Sequence, residues 1–115
     1  MNILKKNTIY LTRGDTFQTQ VTIKQNGEPY TPEEGDKIRF IAKRDELNHN
    51  KTQYLDKDPL IVKEIPVDTM ILKLNPEDTA NLDFGTYAYN IEIIMIDGRV
   101  DTFISDKLHL EPEVD

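Results

Sequence analysis

The sequence predicts a single all-β domain, a sandwich or a barrel, and three observations carry that prediction. Apolar residues recur at period two in short runs. The glycines and prolines fall between those runs or at their edges. No stretch shows the longer periodicity of an extended helix. A chain of 115 residues is the size of one domain. A domain of this length buries about two-thirds of its unfolded surface, so one core suffices without staples.

The runs follow in order. Short strands are expected at Thr8 to Thr12, Leu60 to Ile65 and Lys107 to Leu110. Phe17, Thr19, Val21 and Ile23 alternate with polar residues, the pattern of a half-buried strand. Ile38, Phe40 and Ala42 alternate with Arg39, Ile41 and Lys43, and Met70, Leu72 and Leu74 alternate with Ile71 and Lys73. The longest face is Tyr87, Tyr89, Ile91, Ile93 and Met95, opposite Thr86, Ala88, Asn90, Glu92 and Ile94. Val100, Thr102 and Ile104 are expected on one face, with Ser105-Asp106 as a turn or bulge before the last strand. Edge strands are expected near Thr8 to Leu11 and Leu108 to Leu110, where a partner strand could add.

Turn chemistry supports these boundaries. Asp97-Gly98 lies between two alternating runs, and both residues tolerate positive φ, which predicts a tight hairpin. Asn26-Gly27 has the same character. Two short helical turns are predicted. Thr31-Pro32-Glu33-Glu34 places a cap, a proline at the first helical position and a glutamate three residues after the cap. Asn75-Pro76-Glu77-Asp78 repeats that logic. One stretch has no periodicity. Residues 45–59, polar and charged, read as a long loop, and such loops are often functional. The ends, about 1–6 and 111–115, are expected to fray.

Composition narrows the function. The net charge of −7 disfavours binding to a phosphate backbone. There is no cysteine, so no disulfide and no thiolate site. The apolar runs are too short to span a bilayer. Met1 to Lys6 carries two lysines with no apolar run behind them, so no secretory signal is read there.

Candidates for chemistry are few. One serine, Ser105, and two histidines, His49 and His109, would have to meet for a nucleophilic site. A solvent-facing imidazole is the simpler role for His109. Two separated histidines do not make a zinc site. Asp56 and Asp58, or Asp97 and Asp101, could offer oxygen ligands to calcium, but turn formation and solvation account for them. No catalytic residue, cofactor or metal is therefore assigned, and the chain reads as a non-enzyme. The residues singled out for partner binding are His49, Tyr54, Asp56 and Asp58, all in the long loop. Asp83-Phe84-Gly85-Thr86-Tyr87 has the Asp-x-Gly-x-Tyr spacing of a tyrosine corner, with Tyr87 bonding back to the chain upstream.

Several of these segments taken in order carry a family resemblance. They are Thr12-Arg13-Gly14-Asp15-Thr16-Phe17, Asn26-Gly27-Glu28-Pro29, Lys37-Ile38-Arg39-Phe40, Leu82 to Tyr89, Asp97-Gly98 and Val100 to Ile104. The series resembles the immunoglobulin-like N-terminal module of upper baseplate and minor tail proteins from phages of Gram-positive bacteria. It covers about Thr8 to Leu110. The resemblance implies an immunoglobulin-like antiparallel β-sandwich of about 7–8 strands with one or two short helical turns. It implies a structural, non-catalytic domain of a virion tail, baseplate or other appendage, made in the host bacterial cytoplasm. Its partners would be other virion proteins and further copies of itself, not nucleic acid or membrane. Two other readings stand beside it: a carbohydrate- or receptor-binding module using the long loop, and a small acidic inhibitor of a host protein.

Overall fold

The computed structural model describes residues 3–5, 7–25, 27–44 and 60–112. They form β1 (Ile3–Lys5), β2 (Thr8–Thr12), β3 (Phe17–Gln20), β4 (Lys24–Gln25), β5 (Glu28–Pro29), β6 (Lys37–Arg44), β7 (Ile61–Ile65), β8 (Ile71–Leu74), α1 (Pro76–Thr79), β9 (Gly85–Ile94) and β10 (Val100–Glu111). The domain is all-β. Six strands make one sheet in the order β1-β2-β10-β9-β6-β7, β3 pairs with β8, and β4 with β5.

The core lies between the six-stranded sheet and the β3–β8 pair. Ile9, Leu11, Ile38, Phe40, Tyr87, Ile91, Ile93 and Leu108 come from the larger sheet, and Phe17, Leu72 and Leu74 from the smaller. Each is an inward member of an alternating run, so period two has sorted the faces as expected. Phe40 and Tyr89 pack with ring centroids 5.1 Å apart. Fully burying a side chain of this size contributes about 1.5–3 kcal/mol, against about 1 kcal/mol for a typical hydrogen bond. Packing of these faces therefore dominates the fold.

Four expectations are corrected. The large sheet is mixed, because β10 runs parallel to β2, with Leu108 beside Ile9 and Leu110 beside Leu11. For the same reason Thr8 to Leu11 and Leu108 to Leu110 are interior and paired with each other; the sheet's edges are β1 and β7. The last two predicted strands are one, β10, with its irregularity between Thr102 and Ile104 rather than at Ser105-Asp106. Phe103 is the extra residue. It turns Ile104 inward opposite Ile91, while Thr102 stays opposite Glu92 on the outer face. Finally, Thr31 to Glu34 forms no helix. Asp36, not Thr31, accepts the Glu33 amide, at 2.9 Å, so the chain turns instead.

Other local expectations hold. α1 forms where predicted, and the Asp78 carboxylate accepts the Asn75 backbone N–H at 2.7 Å. The same carboxylate takes Lys63 at 3.1 Å, tying α1 to β7. Thr79, fully buried, accepts the Gly14 amide at 3.1 Å and so fixes the β2–β3 turn against α1. The β9–β10 connection is a hairpin closed by Met95 and Arg99, with Ile96-Asp97-Gly98 as its loop. Only Gly98 takes positive φ there, at 95°.

Tyr87 does what its spacing predicts. Its hydroxyl donates to the Asp83 carbonyl at 2.6 Å, pinning the start of β9 to the turn before it. Burial raises the Tyr87 phenol above its ordinary value near 10, with Arg44 opposing and Asp83 adding. Burial raises Tyr89 much further, and its hydroxyl donates to the Asn7 carbonyl.

Two predictions follow from these tyrosines. Tyr87→Phe should cost about 1 kcal/mol, read as a lower urea midpoint with an unchanged slope. Alkaline stability is the second. The folded pKa values lie above the unfolded value, so their contribution is complete below pH 10 and is lost as pH rises beyond it. The urea midpoint should fall above pH 10, and phenolate absorbance from these two rings should appear only with unfolding.

Candidate interaction surfaces

The strand directions sort the connections into two ends. At one end, the β2–β3 turn, the α1 region and the start of β9 are cross-braced. Arg13 lies over the Phe84 ring at 4.1 Å and donates to the Leu82 carbonyl at 3.3 Å. Arg44 pairs with Asp83 at 3.0 Å beside them. β6 ends here at Arg44, and β7 begins here at Ile61. The predicted partner-binding residues His49, Tyr54, Asp56 and Asp58 lie outside the described residues.

The opposite end gathers the 30–36 turn, the β7–β8 turn and the β9–β10 hairpin. It holds a groove of about 340 Å³ lined by Tyr30, Glu33, Asp36, Met95, Ile96, Asp97, Arg99 and Asp101. Four of these carry carboxylates and one a guanidinium. Asp36, nearly buried, accepts from the Tyr30 hydroxyl at 3.3 Å as well as from the Glu33 amide. Burial, and then the Asp36 charge, raise the Tyr30 phenol. Asp97 accepts both the Arg99 amide and its Nε, each at 3.0 Å, and the first of these bonds leads in holding its carboxyl below the usual range. Ile96 stands out of this acidic setting, 80% exposed. Its side chain lies over Gly35, where φ is 95° and a Cβ would come within 2.5 Å of the Ile96 Cδ1.

The third surface is the outer face of the six-stranded sheet. Its rows follow from register: Val100, Ile94 and Lys37; then Thr102, Glu92, Arg39 and Glu64; then Ser105, Asn90, Ile41 and Val62. Arg39 donates through Nε and Nη2 to one Glu92 oxygen, at 3.0 and 2.5 Å. A groove of about 390 Å³ runs between Val62 and Ile94, rimmed by Lys37, Arg39 and Glu64.

Ser105 and His109, candidates for a nucleophilic pair, lie on this same face but are engaged separately. Ser105 donates to the Asn90 side-chain oxygen. The His109 ring stacks on Tyr10 at 4.8 Å, with Nδ1 3.1 Å from the Thr86 hydroxyl. His109 is thus half-buried by a ring partner rather than solvent-facing. Asp106 accepts the Thr8 hydroxyl at 2.8 Å. Among the described residues no three of histidine, cysteine, aspartate and glutamate are grouped to hold a metal.

Sequence reasoning had isolated neither the Arg39–Glu92 pair nor the Ile96 projection. The first needs the β6–β9 register. The second had a signal, an isoleucine directly before an Asp-Gly turn, where no core face can receive it. Comparison with family models, with curated proteins and with solved structures gives no match.

Gly35→Ala tests how the hairpin is seated. Positive φ and the Ile96 contact should together cost about 1–2 kcal/mol, seen as a lowered thermal midpoint, with amide shifts concentrated at residues 95–99.

Proposed function

We propose that this chain is an immunoglobulin-like β-sandwich serving as a non-catalytic assembly domain of a phage virion, in a tail, baseplate or other appendage. The observation that carries the reading is the ordered series of motifs from Thr12-Arg13-Gly14-Asp15 to the closing strand. Two structural features support the immunoglobulin-like part. Tyr87 makes the upstream bond of a tyrosine corner. The β3–β8 pair faces a larger sheet that begins β1-β2-β10-β9.

Function then rests on surfaces. The described residues offer two open ones of different character, an acidic loop end and a mixed apolar and basic sheet face. Loops and faces of this kind, held on a rigid β frame, bind other proteins. Other virion proteins and further copies of the chain are the partners in this reading. The acidic loop end favours a second reading, a small acidic inhibitor of a basic host protein, whose mark would be steeply salt-dependent binding.

The test is fractionation of infected or induced cells. The chain should travel with purified particles through a density gradient, at a fixed ratio to the major structural proteins. Recovery only as free protein in the cytoplasmic fraction would reject virion assembly and turn attention to the inhibitor.

A further inference from the structure

We propose that the outer sheet face of this chain binds the β9–β10 hairpin of a second copy, and that two such contacts close a two-fold dimer. This rests on the assembly reading and names one partner for it.

Two features of opposite character carry the inference. The first is the groove between Val62 and Ile94. Val62 is 54% exposed, and Ile94 forms the apolar wall opposite. The face around it runs against the rest of the molecule in charge. Lys37, Arg39, Lys43 and Lys107 stand on it against Glu64, Glu92 and Glu111, four cations to three anions, on a chain whose net charge is −7. Arg39 is occupied by Glu92. Lys37, on the rim, is exposed and makes no ion pair among the described residues.

The second feature is the hairpin. Ile96 is the most exposed large apolar side chain described, and Glu33, Asp97 and Asp101 line the groove beside it. An apolar projection among carboxylates thus complements an apolar groove whose rim carries Lys37 and the Glu92-paired Arg39 beside a single carboxylate, Glu64. Ile96 would fill the space between Val62 and Ile94, and Asp101 would meet Lys37.

The two features adjoin in one molecule. Ile94 precedes Ile96 by two residues in the hairpin, and Lys37 follows directly on Asp36. Val100, 49% exposed and directly opposite Ile94, lies between them. A two-fold axis past Val100 brings each hairpin to the other copy's groove. Such an isologous contact uses each patch twice and leaves no free one, whereas a single unclosed contact would propagate.

The experiment is sedimentation velocity on the full chain across the micromolar range. The wild type should show a monomer–dimer equilibrium. Ile96→Asp should weaken it about tenfold or more. Lys37→Glu and Asp101→Lys alter exposed side chains, and each should weaken it about fivefold. Combined, they exchange the charges across the interface and should return affinity to near the wild-type value. Circular dichroism and melting confirm that each variant is folded. A wild type that stays monomeric overturns the proposal. So does a dimer indifferent to Ile96→Asp, which would point to pairing through β7, and so does a double variant no tighter than either single. Open polymers overturn the two-fold closure. A monomeric chain that still travels with virions would refute this contact and leave the assembly reading standing.

Discussion

The rest of this structure depends on the register of β9. Tyr87, Tyr89, Ile91 and Ile93 all point into the core, and both neighbours of β9 are antiparallel to it, β6 in unbroken register and β10 with a single shift at Phe103. Because side chains alternate with period two, a slip of one residue would carry this whole set to the solvent face. The hydroxyl bond from Tyr87 to Asp83 fixes where the strand begins, and the Met95–Arg99 closure fixes where it turns. Between those two points little remains adjustable. The outer face is then determined as well: Glu92 must meet Arg39, Asn90 must meet Ser105, and Ile94 must meet Val100.

That dependence explains an otherwise costly feature. Glu92 is charged, sits in the middle of the sheet and is only 9% exposed. A carboxylate so placed needs a partner, because desolvating an unpaired charge costs several kcal/mol. Arg39 supplies one from the adjacent strand and covers it, keeping its own guanidinium partly in solvent. The pair adds little net stability on general grounds. By register the pair occupies the row between those of Val62 and Ile94, so these two apolar side chains stand on either side of it. The groove there is a product of the core register.

What was legible in the sequence was what local burial dictates. The β9 alternation, the β6 face, α1 with its Asn75 and Asp78, and the Tyr87 bond each arise from residues close in sequence. Pairing is another matter. The parallel meeting of β2 and β10 joins residues nearly a hundred positions apart, and nothing local marks Leu108 as the neighbour of Ile9. The bulge at Phe103 was hidden for a different reason. One extra residue shifts the phase of alternation, so Val100, Thr102 and Ile104 look like one face although the structure divides them. Thr31 shows competition: its capping pattern is sound, but Asp36 reaches the Glu33 amide first. The residues picked for partner binding, His49 to Asp58, were chosen for lack of pattern and fall outside the described structure. The sheet face and the hairpin could be recognised only once strands were placed side by side.

The charge of the chain bears on how such surfaces can act. A net charge of −7 makes copies repel at long range. At physiological ionic strength that repulsion is screened within about 8 Å, whereas groups in contact still feel one another. Recognition must therefore come from the local arrangement of charge rather than from its total. The described surface has such an arrangement, with carboxylates gathered at the hairpin end and cations in excess on the adjoining sheet face. The overall acidity keeps nonspecific and polyanionic partners away. A partner able to engage the sheet face must bring negative charge and an apolar side chain together, and the hairpin around Ile96 shows that this chain itself carries both.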